Sequence, residues 1–327
     1  MKYKIEKNTV QETLIIPLYA RKVCSELYPN LYQDETAVRL IGEIDYGFSD
    51  ADKNARSLVQ RFGSLEVAMR QNDLAWEVRD YLRTHPNAAV VNLGCGLDST
   101  GRSCDNGSCK IYNLDFPDVI TVRNELLPAG EREENIPCDL NDTAWFSKID
   151  ASGGAVFFAS GVFYYFLTEQ VKTLVQAMAD TFPSGVLVFD AANRTAVKMI
   201  AKTWLKSAKI KDVGAYFAVS DAPQEISAWD SRLQVTSRGY MLGYQQADGA
   251  LSAAVQSNPP CLHREENPLL RHQETRCHRL YDQPGGQPQP VHRTNRLVQI
   301  RKRGREALQD PHSAPFPWRS AEDSALL

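Results

Sequence analysis

The sequence has no apolar run that approaches the ~18 residues a membrane-spanning helix needs, which leaves no basis for an integral membrane protein. It also lacks an excess of either charge: 37 Lys and Arg stand against 40 Asp and Glu, a net charge of -3. No broad basic field is therefore available for nucleic acid or an anionic membrane, and the expected partner is a small molecule. Cysteine is sparse and odd in number, seven residues in a chain of 327, which fits reduced thiols better than a disulfide framework. Cys104 and Cys109, spaced C-x4-C, match no strong zinc pattern, so no metal is expected. The N-terminal segment contains Pro17 within a short apolar stretch and has no small-residue cleavage pattern, so it does not read as a secretory signal and a cytoplasmic location is expected.

What is present divides into three textures. Residues 1–87 read as helices that cover one side of the protein; Leu65, Met69, Leu74, Trp76, Val78, Tyr81 and Leu82 form an imperfect helical stripe stopped by Pro86. Residues 88–245 alternate short apolar runs with amphipathic stretches: AVVNLG, KIYNLDF, NIPCDL, GAVFFAS and GVLVFDA. Between the last two, Leu167, Val171, Leu174, Val175, Met178 and Phe182 share one helical face. Asn193 is placed to cap a further helix, and SRLQVTSRGYMLGY suggests another strand. Buried strands joined by helices describe a doubly wound α/β sheet.

Residues 246–327 differ. They hold five of the six histidines and nine of the 17 prolines, while Leu, Ile, Val and Phe make up 14 of 82 residues, under the usual ~20% of a packed segment. The segment reads as a tail of low order, and its abrupt change of texture raises a shifted reading frame or a fusion as the alternative.

The stretch VVNLGCGLDST sets a β-branched run against Gly94 and Gly96. Such a turn at the carboxyl end of a strand lets backbone N–H groups approach a ligand. A dinucleotide fingerprint would need a third glycine at position 99, which is Ser99. Asp115, 19 residues after Gly96, falls where a carboxylate accepts hydrogen bonds from ribose hydroxyls. Asp139 and Leu140 follow the third strand and suit an adenine, the acid as acceptor for its amine and the leucine as apolar cover. Together these favour S-adenosyl-L-methionine (SAM) over a nicotinamide.

The order LGCGLD, NLDFPDVITVRNELL, CDLND, FFASGVFYYF and VLVFDAANR, spanning about residues 10–245, resembles the leucine carboxyl methyltransferase family, which includes bacterial O-methyltransferases linked to polyketide-type products. The resemblance implies a class I SAM-dependent methyltransferase fold with an N-terminal helical cover. It places Gly94 and Gly96 under the methionine part of SAM, Asp115 on its ribose, and Asp139 with Leu140 around the adenine. It matches Arg70 to an arginine that pairs with the methionine carboxylate, a solvated surface arginine being the alternative. One departure stands out: the family commonly carries an acid before the glycine after the fourth strand, where this chain has Ser160 before Gly161.

Methyl transfer is an in-line displacement that depends on positioning, so no triad is required. Tyr164 and Tyr165 follow the fourth strand at the expected acceptor mouth, and one of them is expected to serve there, as an aromatic face toward acceptor or sulfonium. Packing in the core is the competing role for both. Asp98 is expected to cap the helix after the turn, and His85, ahead of Pro86, to end a helix. The sequence thus describes an O-methyltransferase acting on a hydroxyl or carboxylate of a small molecule. Two alternatives remain: an NAD(P)-dependent oxidoreductase, and a SAM-binding protein with an impaired, incomplete sheet. The second arises because Leu297–Ile300 is the only β-like run in the tail, short and flanked by arginines, so no convincing strand completes the sheet.

Overall fold

The computed structural model describes residues 2–5, 10–48, 57–200, 216–238 and 295–302. Short strands β1 (Tyr3–Lys4) and β2 (Ile44–Asp45) pair in parallel and enclose helices α1 (Val10–Thr13), α2 (Ile15–Leu27) and α3 (Glu35–Glu43). Helix α4 (Leu58–Thr84) follows, and His85 ends it with its N–H on Tyr81 O (3.1 Å) and its ring stacked on the Tyr81 ring. Among the described residues no helix is long and apolar enough to cross a membrane.

The body is a seven-stranded sheet. In chain order its strands are β3 (Ala89–Leu93), β4 (Lys110–Asp115), β5 (Glu133–Pro137), β6 (Ala155–Ala159), β7 (Val186–Ala192), β8 (Leu233–Arg238) and β9 (Asn295–Lys302); in space the order is β5-β4-β3-β6-β7-β9-β8. Strands β3 to β7 are parallel, and β9 runs antiparallel to both of its neighbours. The helices between strands are α5 (Thr100–Ser103), α6 (Pro117–Leu126), α7 (Thr168–Thr181), α8 (Arg194–Ile200) and α9 (Ala222–Ser227).

The continuous apolar runs follow from burial on both faces. On one face Val91, Leu93, Leu114, Phe157 and Phe189 meet Val171, Leu174 and Val175 of α7 together with Trp145. On the other, Val90, Ile111, Val156, Phe158 and Val188 meet Leu74, Val78, Tyr81 and Leu82 of α4. Trp76, expected on the buried stripe of α4, is instead 44% exposed, with the Arg238 guanidinium 5.6 Å over its ring. Asn193 caps α8 as expected, its Oδ1 accepting from Ala196 N (3.0 Å); the part of that helix expected beyond Ile200 lies outside the described residues.

The expectation of an incomplete sheet is overturned by β9. Val186 to Ala192 of β7 pair with Arg301 to Asn295, and Leu233 to Arg238 of β8 pair with Lys302 to Leu297, so both backbone edges of β9 are occupied. Leu297, Val298 and Ile300 are buried, which corrects the reading of 246–327 as uniformly low in order. The rest of that segment lies outside the described residues.

Candidate cofactor site

The register of the parallel strands fixes the site. Leu93 pairs with both Leu114 and Ala159, and Asp115 with Pro137, so Cys138, Asp115, Gly94 and Ser160 succeed one another along the carboxyl edge of β5, β4, β3 and β6. This edge flanks β3, where the strand order reverses and ligands bind in open α/β sheets.

Gly94 and Gly96 have φ of +66° and +47°. A Cβ on Gly94 would lie 2.6 Å from a Val162 methyl, so the turn requires glycine there for two reasons. Cys95 N donates to Leu114 O (2.9 Å), and Gly96 N donates to Asp115 Oδ2 (2.8 Å). Asp115 Oδ1 accepts from Phe116 N (2.8 Å), which aims the carboxylate across the glycine turn. Burial raises its pKa, while the Gly96 and Phe116 amides and Arg123 work against the rise. Each oxygen keeps a lone pair beyond these bonds, and a half-buried carboxylate so placed fits the paired hydroxyl donors of a ribose.

Asp139 is exposed beyond β5, with Oδ1 accepting from Asn141 N and Nδ2 (2.9 Å each). Leu140 is buried in the main core with Ile136 and Trp145. Acid and leucine therefore point to different surroundings, one to solvent and one inward. Ser160 is half-buried at the end of β6.

Arg70 is not a solvated surface arginine. Its Nη1 lies 2.9 Å from Oδ2 of Asp190, the fifth residue of β7, and its guanidinium packs over Gly161. The two tyrosines separate. Tyr164 is 4% exposed and packs with Ala192, Ala196 and Val197, whereas Tyr165 is 38% exposed and lies in the field of Arg70 and Asp190. Tyr164 is thus a packing residue, and of the two only Tyr165 keeps an open face.

Four residues that sequence reasoning passed over hold this edge together. Arg123, buried on α6, donates from Nη1 to Gly96 O (2.9 Å) and Asp98 O (2.8 Å). Arg21, buried on α2, joins Asp34 (2.6 Å) and Leu97 O (3.0 Å). Gln71 donates from Nε2 to Asp98 Oδ1 (2.6 Å) and Thr100 Oγ1 (2.8 Å) and accepts from Tyr32. Asp190 is the fourth. Each is a charged or amide side chain on an otherwise apolar stripe or run; Arg123, for example, sits among the buried Val119, Ile120, Val122 and Leu126. That misfit with its neighbours is the signal that marks them. Asp98, expected to cap the next helix, stands one residue before its N-cap, Ser99, and accepts from Thr100 N (3.0 Å) and Oγ1 (2.7 Å).

The parallel sheet with one antiparallel strand inserted near its edge, the glycine turn after its first long strand and the acid ending the next define a class I SAM-dependent methyltransferase. The sequence model of the leucine carboxyl methyltransferase family matches residues 18–179. That match covers just under half of the chain, and the cofactor is SAM. The chain is 29% identical over 186 residues to the tetracenomycin polyketide synthesis O-methyltransferase TcmP of Streptomyces glaucescens, covering 56% of this chain and 66% of that protein. It is 24% identical over 256 residues to the S-adenosyl-L-methionine-dependent methyltransferase dpfgK of Gibberella zeae, covering 74% of this chain and 85% of that protein. A solved methyltransferase structure from Thermobifida fusca shares the fold with a TM-score of 0.50 at 16% identity, covering 87% of this chain and 94% of that one. The chain is accordingly a SAM-dependent methyltransferase, and the nicotinamide-dependent alternative is set aside.

Proposed function

We propose that the protein transfers a methyl group to an oxygen, a hydroxyl or a carboxylate, of a small molecule. The observation that carries this reading is the 29% identity over 186 residues to a polyketide O-methyltransferase. Bound SAM supplies an electrophilic methyl on a sulfonium.

The chain contributes position and exclusion of water. Asp115 accepts from the ribose hydroxyls while its other lone pairs hold the Gly96 and Phe116 amides, so the same carboxylate shapes the turn and holds the ligand. Gly94 and Gly96 keep the backbone open to the methionine part, and Arg70 faces the methionine carboxylate with a planar pair of donors. Asp139 accepts from the adenine amine at the exposed rim, and Leu140 backs that turn from the core. Ser160, next to Gly161, lines the floor of the cleft. Tyr165 offers an aromatic face and a hydroxyl at the mouth, where a methyl acceptor enters.

The test is incubation with methyl-labelled SAM and aromatic acceptors that carry both phenol and carboxylate groups, followed by mass spectrometry before and after alkaline hydrolysis. Label lost as methanol identifies a carboxylate ester, and label retained on an alkali-stable oxygen identifies an ether. Label on nitrogen, carbon or sulfur, with none on oxygen, contradicts the proposal.

A further inference from the structure

Asp190 is 1% exposed at the cofactor end of the sheet, a position at which a buried carboxylate must be well satisfied to persist. Its Oδ1 accepts from Gly161 N at 2.6 Å and its Oδ2 from Arg70 Nη1 at 2.9 Å. It therefore binds, through its two oxygens, the loop that follows β6 and the guanidinium carried in from α4. The loop has little freedom around this contact: Gly161 has φ of +71°, and a Cβ there would stand 3.0 Å from Arg70 Nη2. The neighbouring residue, Ser160, brings no charge to the cleft. The carboxylate nearest this corner of the cleft thus comes from β7.

We propose that Asp190 is a positioning residue for the amino-acid end of the cofactor, fixing Arg70 and the Gly161 amide from the adjacent strand and supplying the negative charge that position 160 lacks. The inference rests on the reading of Arg70 as the partner of the methionine carboxylate. An arginine bound by a buried carboxylate cannot swing into solvent, and its guanidinium plane keeps a fixed orientation. Asp190 acts through Arg70 and Gly161, which distinguishes it from Asp115 on the ribose side of the cleft.

The test compares two thioether nucleosides that differ only in the amino-acid portion. S-adenosylhomocysteine carries it, and 5′-methylthioadenosine does not. Calorimetric titration of the full chain with each is expected to show that Asp190→Asn weakens S-adenosylhomocysteine binding by about 10- to 100-fold, the range for loss of a charge-assisted contact, while 5′-methylthioadenosine binding stays within about 3-fold. Equal effects on both ligands, or no effect on either, overturn the proposal. If Asp190→Asn binds neither ligand, the Ser160→Asp/Asp190→Asn double variant decides. Selective recovery of S-adenosylhomocysteine supports the proposal; recovery of 5′-methylthioadenosine alone, or of neither, overturns it. Arg70→Ala separates this inference from the reading beneath it. If that variant leaves the ratio of the two affinities unchanged, the assignment of Arg70 fails. If it shifts the ratio and Asp190→Asn does not, only the role of Asp190 fails.

Discussion

At the scale of the residue, the site turns on a few groups whose geometry admits little substitution. Asp115 ends β4 with both oxygens engaged by backbone amides, so its removal loosens the turn and, in the proposed function, takes away ligand contacts as well. Asp115→Ala is expected to weaken SAM binding by about 3–4 kcal/mol, from two charge-assisted hydrogen bonds at about 1.5–2 each, and calorimetry reads this directly. Unchanged affinity removes Asp115 from the site. Gly94→Ala places a methyl within 2.6 Å of Val162 at a φ of +66° and is expected to cost about 1–3 kcal/mol of stability by chemical denaturation. Adding Val162→Ala relieves the clash but not the backbone strain, so the double variant recovers only part of the loss. Both residues were legible in the sequence because their chemistry is local: a glycine pair after a β-branched run, and an acid 19 residues on. Asp190 and Arg123 were not, because the partners of Asp190 are 29 and 120 residues away and those of Arg123 in the glycine turn are 25 and 27 away, and only the folded sheet brings them together.

At the scale of the element, the strands buried on both faces announced themselves as continuous apolar runs, and β9 did not. An antiparallel strand inserted between two existing ones needs only Leu297, Val298 and Ile300 to reach the core, and its Gln299 is satisfied by Glu77 Oε2 (3.1 Å). Polar residues that a single sequence assigns to a solvated tail are here bound to α4. The same side of α4 carries a buried charged cluster, with Arg238 of β8 reaching Asp73 Oδ2 (3.2 Å) and Glu77 Oε1 (3.0 Å) and stacking over Trp76. That explains an exposed tryptophan on a stripe that otherwise faces the core. Burial pushes the Asp73 carboxyl up to about 6, with Arg238 opposing the rise and Glu77 adding to it. A carboxyl raised in the folded chain binds its proton more tightly there than when unfolded, so its contribution is most favourable at acid pH and is lost as pH climbs from about 4 to about 6. The stability difference between the wild type and Asp73→Asn, from urea titrations across that window, is expected to shift against the wild type by up to ~3 kcal/mol. A difference that does not change with pH contradicts the burial of this carboxyl.

At the scale of the whole molecule, the chain closes on itself: the last described strand, β9, joins β7 to β8, and the helical cover that precedes β3 carries Arg70 to the far side of the cleft. Neither link is visible in composition, because most of the residues that make them are separated by more than 100 positions, as Val186 is from Arg301, Arg70 from Asp190 and Glu77 from Gln299. A chain ending before Asn295 leaves β7 and β8 with open backbone edges and uncovers apolar side chains worth about 1.5–3 kcal/mol each, a loss comparable to the whole stability of a domain. It is expected to melt without a cooperative transition and without a shift on adding SAM, whereas the full chain melts cooperatively at a temperature that rises with SAM. Matching, ligand-shifted transitions in both chains contradict the place of β9 in the fold.

The central claim is that the nucleoside of SAM lies across the carboxyl ends of β3, β4 and β5. A crystal structure of the full chain with S-adenosylhomocysteine tests it most directly. The account predicts ribose hydroxyls within hydrogen-bonding distance of Asp115 and the adenine amine beside Asp139; a nucleoside bound elsewhere, with Asp115 holding only the Gly96 and Phe116 amides, contradicts it.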